Sequence, residues 1–376
     1  MTDSAAETKR LYADLPDAAW RRSFRRRLLA WYDRHARDLP WRRARDLYSV
    51  WVSEIMLQQT QVATVVPYFE RFMKTFPTVE SLAMAEEHDV LRLWEGLGYY
   101  RRARQLHQAA QVVVRQHEGK IPRGIRALRE LPGIGRYTAG AILSIGLDQR
   151  QPILEANTIR LFSRLLAHEE IPTTAASQRR LWAMAEIVLP RKHVGRFNQA
   201  LMELGSEVCV NGTPRCEECT VAPLCEARRE GRENHIPTAK RKKSFESVRE
   251  AAVLIRRRGR LLLVKCAPDQ RWAGLWDFPR FAIASKQSAD VRRELIEKVR
   301  RLTGVTVAPG QRLATIKHGV TRFRITLDGY EADFVEANGK TTATAMKWLR
   351  PNELENYPLS TTGRKLSRLA DSLFGR

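Results

Sequence analysis

Apolar residues in the first half of the chain recur at spacings of three and four, which is the period of an amphipathic helix. Trp20, Phe24 and Leu28 start one such stripe, with arginines at the positions between them. Further stripes, separated by proline-containing breaks, run through residues 51–66, 90–93, 103–114 and 137–145. The chain to about residue 210 is therefore predicted to be all-α.

The pattern changes after residue 225. Residues 226–250 are highly charged and show no apolar period, which indicates a linker. Short strand-like runs follow at 251–255, 261–265, 312–316, 321–327 and 347–349, and one helical period lies at 291–302. The second part is predicted to be an α+β domain.

Length and charge narrow the function. A chain of 376 residues is long enough for two or three domains. Its 65 Lys and Arg against 42 Asp and Glu leave a net charge of +23, and more than half of this excess falls in residues 236–376. Nucleic acid is the favoured partner, because each neutralised phosphate releases counterions. The alternative is a charge that only keeps the protein soluble.

The chain has no run of the roughly 18 to 20 apolar residues that a membrane span needs. Its first twenty residues carry acids and no apolar segment, unlike a secretory signal. We therefore expect a cytoplasmic, nucleoid-associated protein without a membrane partner.

Cys209, Cys216, Cys219 and Cys225 follow a C-x6-C-x2-C-x5-C pattern within seventeen residues. Four thiolates at loop spacings suit zinc or an iron-sulfur cluster. Zinc sites more often have two C-x2-4-C knuckles and this pattern has one, so a cluster is favoured over zinc. Disulfides are the alternative. Cys266 stands apart in a strand-like run and is interpreted as a small core residue.

A turn with two glycines, Gly133-Ile134-Gly135, joins two helical stretches. Glycine lets the backbone approach a ligand closely, and the free N–H groups at the start of the next helix form an anion site. In so basic a chain the anion would be a DNA phosphate, which positions the protein without reading sequence. An ordinary helix–helix turn is the alternative.

Two acids lie in apolar surroundings. Glu54 falls within residues 51–60, on a helix expected to be buried, where burial would raise the carboxyl pKa toward that of a general acid. The alternative is a partly exposed helical glutamate. Glu155 follows Pro152 and precedes a helical stretch that continues to Leu165, so capping of that helix is its leading role from the residues alone.

Together these motifs resemble the MutY family of adenine DNA glycosylases, in the helix-hairpin-helix superfamily. The similarity begins near residue 22 and is densest at 51–61, 96–104, 131–144 and the four cysteines. It implies a tail at 1–21, a six-helix barrel with an iron-sulfur helical domain at 22–228, a linker at 229–248 and a Nudix-like domain at 249–376. Members of the family flip adenine out of a mispair with 8-oxoguanine or guanine and remove it.

The resemblance also implies a role for each candidate residue. Glu54 would be the catalytic acid, and Asn157 would support the active site. Tyr137 stands where bifunctional relatives carry a nucleophilic lysine, so no Schiff base could form and the enzyme would be monofunctional. Residues expected to contact or wedge into the base stack are Gln58, Gln59 and Tyr99. Those expected to bind phosphate are Gly133, Ile134 and Gly135. Those expected to hold a [4Fe-4S] cluster are Cys209, Cys216, Cys219 and Cys225.

The sequence departs from the family pattern at three places. The family's aspartate, which stabilises a positive sugar intermediate, is Glu155 here, and Ala156 replaces the next glycine; the extra methylene shifts the carboxylate by about an ångström. The Phe-Ser-His loop that reads 8-oxoguanine is Ile316-Lys317-His318, so Lys317 would donate to the lesion or to a phosphate, and His318 alone is more typical of a structural histidine. Lys298 stands where the Nudix box has a metal-binding glutamate, so this domain should bind without hydrolysing.

The sequence thus predicts a monomeric, monofunctional glycosylase that removes adenine opposite 8-oxoguanine or guanine in double-stranded DNA. Two alternatives stay open. One is a thymine glycosylase acting on G:T mispairs, and the other is a protein that binds mispairs with little catalysis. The Nudix-like domain favours adenine removal.

Overall fold

The computed structural model describes residues 12, 14–43, 46–238, 244–285 and 287–374. The chain forms two compact units. The first combines Met1–Ala83 with Gln108–Arg241, and the second combines Met84–His107 with Lys242–Arg376. A helix of the length and apolar character needed to span a bilayer is not found among the described residues.

The described chain before residue 230 is helical, which confirms the all-α prediction for this part. The helices are α1 (Ala18–His35), α2 (Pro40–Arg43), α3 (Leu47–Leu57), α4 (Val62–Thr75), α5 (Val79–Met84), α6 (Glu87–Trp94), α7 (Arg101–His117), α8 (Ile125–Glu130), α9 (Arg136–Leu147), α10 (Ala156–Leu165), α11 (Ala175–Ile187), α12 (Val194–Glu207) and α13 (Glu226–Arg229). Helix α6 and the start of α7 belong to the second unit.

Local chemistry sets several helix starts in the first unit. Asp17 and Thr174 accept backbone N–H bonds at the beginning of α1 and α11. The predicted apolar stripe of α1 is buried, with Phe24 packed edge to face on Phe197 of α12 at a centroid distance of 6.0 Å. This core fixes α12 beside α1.

The second unit contains a seven-stranded sheet, so the α+β prediction is confirmed. Its strands are β1 (Glu246–Arg257), β2 (Arg260–Lys265), β3 (Trp276–Asp277), β4 (Arg280–Ala282), β5 (Val305–Val320), β6 (Phe323–Ala337) and β7 (Met346–Leu349). The order is β3-β2-β1-β6-β5, with β4 paired to β1 and β7 to β2. Strands β1 and β6 are parallel, whereas β5 and β6 are antiparallel.

Two helices cover the sheet, α14 (Ser288–Thr303) and α15 (Thr361–Phe374). Successive residues of β1 face opposite sides because the side-chain period of a strand is two. Leu254 packs in one core with Leu366 of α15, and Val253 packs in the other with Leu295 of α14. Each face of the sheet therefore has its own helix.

The sheet extends beyond the strands that the hydrophobic pattern predicts. Strand β1 begins at Glu246, inside the predicted linker, because residues 246–250 pair with β6 from Phe323 onward. The predicted linker extended too far at this end. Strand pairing is made by backbone groups, so these residues can join the sheet without an apolar pattern in their side chains. In α14, Lys298 forms an ion pair with Glu294 at 2.7 Å. The lysine that stands in place of the Nudix metal-binding glutamate is therefore paired with an acid of its own helix.

Candidate active site

Helix α3 carries Glu54 into the interior of the first unit. Asp46 caps the helix by accepting a bond from Ser49 N at 2.8 Å, and residues 48–56 are all buried. The side chain of Glu54 lies in this buried stretch, with the residue only 5% exposed. The predicted burial of this acid is confirmed, and the partly exposed alternative is wrong.

Tyr137, on α9, is the hydrogen-bond partner of Glu54. Its hydroxyl donates to Glu54 Oε2 at 2.5 Å and lies 3.3 Å from Met202 Sδ. Burial and the charges of Glu54 and Glu155 raise the pKa of Tyr137 well above its usual value. The phenol therefore stays protonated and acts as a fixed donor to the carboxyl group.

The pKa of Glu54 is raised to about 7, and burial is the main cause. The hydrogen bond from Tyr137 lowers the pKa, the charge of Glu155 raises it, and the charge of Arg42 lowers it. A carboxyl group that titrates near neutrality can donate a proton in one step and accept one in the next. This is the property that an acid and base catalyst needs.

Glu155 caps helix α10, as the residues alone predict. Its two carboxylate oxygens accept the N–H groups of Asn157 and Thr158, both at 2.9 Å. Burial raises the pKa of Glu155, while these N–H groups and the charge of Arg160 oppose the rise. The cap holds the carboxylate in one place, at the start of α10.

Asn157 is held next to this cap. Its Oδ1 accepts from Arg160 Nη2 at 3.0 Å. Helix α12 comes very close at Gly205, where an added Cβ would lie 2.8 Å from Asn157 Cβ. A side chain at this position would therefore push Asn157 and the start of α10 away from α12.

One cleft of about 460 Å³ brings these residues together. It lies within the first unit, and its volume falls in the range of ligand pockets. The predicted site residues among those that line it are Glu54, Gln58, Gln59, Tyr137, Glu155 and Asn157. Gln59 has a left-handed φ of 57°, just after α3.

The cleft also contains a charged group that the sequence analysis missed. Glu203 of α12 accepts from Arg37 Nε at 2.8 Å and from Arg42 Nη2 at 2.7 Å, and its side chain is 1% exposed. Burial alone would raise the pKa of Glu203, but the hydrogen bonds from both arginines lower it to about 2. Glu203, like Glu54, is an acid within an apolar stretch of a helix. The same sequence signal could therefore have identified it.

The glycine turn lies between α8 and α9. Gly133 has a left-handed φ of 78°, which favours glycine, and Ile134 is buried and anchors the turn. Gly135 is the N-terminal cap residue of α9, where no side-chain cap bond is made. A Cβ on Gly135 would meet nothing within 4 Å, so the backbone is open to a ligand there.

Three predicted DNA contacts belong to the second unit and do not line the cleft. Tyr99 is 52% exposed on the turn before α7. Lys317 and His318 are neighbours in β5, and only Lys317 is exposed. His318 Nε2 lies 3.4 Å from Arg280 Nη2, and its ring is 6.5 Å from that of Trp272. His318 therefore has partners inside the domain, as the structural interpretation expects.

The four clustered cysteines line one pocket together with Leu161 and Val221. All four thiols are free, so the disulfide alternative is wrong. Arg164 Nη1 lies 3.2 Å from Cys209 Sγ, and Cys225 Sγ donates to the Arg164 carbonyl at 3.4 Å. Within the described ranges, no three His, Cys, Asp or Glu side chains are placed to bind a single metal ion.

Two family models match this chain. Residues 52–186 match the model described as HhH-GPD superfamily base excision DNA repair protein, and residues 251–369 match a NUDIX domain model. The first match lies in the helical part of the chain, and the second lies in the α+β part.

Curated relatives extend the similarity over most of the chain. The adenine DNA glycosylase of Rattus norvegicus is 34% identical, covering 96% of this chain and 79% of the relative. That of Buchnera aphidicola subsp. Schizaphis graminum is 38% identical, covering 69% and 75%. A solved structure, that of a thermostable thymine-DNA glycosylase, matches 57% of this chain and all of its own with 27% identity and a TM-score of 0.52.

Proposed function

The chain belongs to the adenine DNA glycosylases, which are base excision repair enzymes, and from this premise we propose that it acts as a monomer on adenine paired with 8-oxoguanine or guanine. The observation that carries the proposal is the cleft that holds Glu54, Tyr137 and Glu155 together. It offers a proton donor of pKa about 7 and a second carboxyl group fixed by a helix cap.

In the proposed reaction Glu54 donates its proton to the adenine ring. The N-glycosidic bond breaks, and its electron pair leaves with the neutral base. The Glu155 carboxylate stabilises the positive charge that develops on the sugar. Glu54, now ionised, takes a proton from the attacking water, and the sugar gains a hydroxyl group. Tyr137 holds the Glu54 carboxyl in place through its 2.5 Å hydrogen bond.

The proposed enzyme is monofunctional. A Schiff base with the sugar needs an amine, and the described residues that line the cleft include no lysine. Tyr137 occupies the position where an amine is expected in bifunctional relatives, and its phenol is committed to Glu54. Water is therefore the nucleophile in this proposal.

The deciding experiment measures single-turnover base release on duplexes that carry A:8-oxoguanine, A:G or T:G. We expect free adenine from the first two and no thymine from the third. The fold shared with a thymine-DNA glycosylase makes the third duplex the informative arm. Thymine release from it, without adenine release from the others, would overturn the proposal.

We assign the DNA contacts to three exposed features. The turn at Gly133–Gly135 offers backbone N–H groups to a phosphate. Tyr99 presents an exposed ring, which can stack on a base. In β5, Lys317 faces solvent and is assigned to the oxidised guanine or a phosphate, whereas His318 is assigned to packing beside Trp272.

The phosphate contact predicts that Gly135→Ala weakens duplex binding without harming the fold. The φ of Gly135 is −88°, and its Cβ would enter open space, so alanine fits and melting temperature should not fall. The added methyl group would stand between a phosphate and the start of α9. We expect the Kd for duplex DNA to rise about tenfold, measured by fluorescence anisotropy.

Gly124→Ala is the matched control. Gly124 is the N-terminal cap of α8, also has an extended backbone, and also faces open space. Its substitution should leave the Kd unchanged. Equal Kd values for the two variants would argue against a phosphate at Gly135.

We propose that the four cysteines hold a [4Fe-4S] cluster. A [4Fe-4S] cluster binds one thiolate at each of its four irons, whereas a single metal ion would need all four thiolates around it. Four free thiols spread around one pocket therefore fit the cluster better than a single ion. Apolar residues line this pocket together with Arg164, Arg215, Arg228 and Glu233. The excess of positive charge in this lining suits an anionic cluster. In this assignment the cluster holds the segment 209–225 together and supplies no step of the base removal.

This assignment predicts a coloured protein with about four irons per chain. Cys219→Ser should lower the iron content and the visible absorbance, and should lower the melting temperature because the segment loses its cross-link. Cys266→Ser, in the other unit, should leave the iron content and the visible absorbance unchanged. A colourless wild-type protein with stoichiometric zinc would overturn the assignment.

A further inference from the structure

The turn that carries Tyr99 has a demanding backbone. Tyr99 itself has a left-handed φ of 49°, and Gly96 and Gly98 have φ values of 101° and 72°. A left-handed conformation is unfavourable for a tyrosine, so the surrounding contacts must maintain it. The result is an exposed aromatic ring on a tight turn, with the Arg102 guanidinium 5.5 Å from the ring centroid.

Glu95, the first residue of this turn, is tied to helix α15. Arg364 of α15 donates from Nε to Glu95 Oε1 at 2.6 Å and from Nη2 to Glu95 Oε2 at 2.9 Å. Leu359 N donates to the same carboxylate at 3.1 Å. The two side chains are 16% and 17% exposed, so solvent screens the pair only partly. A bidentate pair of this kind fixes both distance and orientation.

The other end of the turn is tied to the same place. Tyr100 OH donates to the Leu359 carbonyl at 3.4 Å and accepts from Gly96 N at 3.3 Å. On the N-terminal side of the turn, His88 Nε2 of α6 lies 2.8 Å from the Asn356 carbonyl. The turn is therefore held on both sides by the segment 356–364, which is 250 or more residues later in the chain.

We propose that Arg364 is a positioning residue, which clamps the turn at residues 95–100 to helix α15 so that Tyr99 meets the base stack as part of the C-terminal unit. Arg364 also donates to the carbonyls of Leu354 and Tyr357 at 2.9 and 2.7 Å, which fixes the loop in front of α15. The stacking ring is thereby controlled by the Nudix-like domain, although it lies in the sequence of the helical domain. This inference rests on the proposed contact of Tyr99 with the base stack.

The test is a double-mutant cycle on full-length protein in a Glu54→Gln background, which leaves the DNA intact. The probe is a duplex with A:8-oxoguanine and 2-aminopurine beside the lesion; its Kd and its fluorescence report binding and local stacking. Tyr99→Ala should raise the Kd roughly tenfold and change the fluorescence. Arg364→Gln should reproduce most of both effects. Added to Tyr99→Ala, it should change neither further, because its effect passes through the same ring.

Arg368→Gln is the matched control. It removes the same charge from an exposed position of α15 that makes no ion pair with a described residue. Any effect of Arg368→Gln on the Kd should be independent of Tyr99, so the double variant should show the product of the two separate fold changes. Arg364→Gln also loses two carbonyl contacts, so Glu95→Gln, which keeps them, gives a second route to the same clamp.

Melting temperatures separate folding from positioning. If Arg364→Gln fails to fold, the result for Glu95→Gln decides. Two results would overturn the proposal. In the first, folded Arg364→Gln and Glu95→Gln variants have the same Kd and fluorescence as the Glu54→Gln background. In the second, combining either of them with Tyr99→Ala raises the Kd by the full product of the two separate fold changes. Wild-type adenine release is measured in parallel, so its absence would count against the proposed function and not against the clamp.

Discussion

Glu54→Gln should lower the single-turnover rate of adenine release by about 10³-fold. Glutamine has the shape of the protonated carboxyl group and can still accept from Tyr137, but it has no proton to give to the base. Duplex binding should change little, because protonated Glu54 is neutral, as glutamine is. The substitution therefore does not alter the charge next to the DNA. Product release is measured by chromatography, and binding by anisotropy on an A:8-oxoguanine duplex.

Stability should not fall with this loss of activity. Burial raises the folded pKa of Glu54 to about 7, above its ordinary value. Such a group favours the folded state most at low pH, and this contribution is lost as the pH rises through 7. Glutamine avoids that loss, so at pH 8 the variant should melt no lower than the wild type. A lower melting temperature at pH 8 would indicate damage to the fold.

The same pKa shapes the wild-type pH profile. The rate of adenine release should decline above pH 7, by about tenfold for each pH unit, as the protonated fraction of Glu54 falls. The hydrogen bond from Tyr137 lowers the pKa of Glu54, so Tyr137→Phe should move this decline to higher pH. A flat wild-type profile from pH 6 to 9 would contradict a proton donor at Glu54.

Features with a local cause were predictable from the sequence. The burial of Glu54 followed from apolar neighbours on one helix, and the cap by Glu155 followed from its place before a helical stretch. The ion pairs of Glu203 join residues 161 and 166 positions apart, so spacing could not reveal their partners. Pairing with β6 extended β1 to Glu246 in the same non-local way. Tertiary contacts also placed segment 84–107 in the second unit.

The second large effect is expected at Glu155. Glu155→Gln should slow adenine release by about 10²-fold, because a neutral amide cannot stabilise the positive sugar as a carboxylate does. The amide also caps less well, since one of its two ends is a donor facing the N–H groups of Asn157 and Thr158. Single-turnover release from A:8-oxoguanine is the measurement, and full wild-type rate in this variant would contradict the role.

A control must separate the lost charge from the weakened cap. Thr158 completes the capping box by accepting from Glu155 N at 2.8 Å, and Thr158→Val removes this bond while keeping the carboxylate. It should cost about 1 kcal/mol of unfolding free energy. Its rate should fall far less than that of Glu155→Gln. Equal rate losses in the two variants would assign the effect to the helix start instead of the charge.

Glu155→Asp tests whether the longer acid has its own geometry. Both oxygens of Glu155 are bonded to the backbone at 2.9 Å, so the carboxylate position follows from the side-chain length and from the path of α10. Aspartate would withdraw the charge by about an ångström, and a displacement of this size can cost about 10²-fold in rate. We therefore expect the family's own residue to be slower here. Adding Ala156→Gly, which restores the family's neighbour and frees the backbone, should recover part of the rate. If the Glu155→Asp single variant were faster than the wild type, the extra methylene of Glu155 would instead be slowing the reaction, without compensation by the rest of the site.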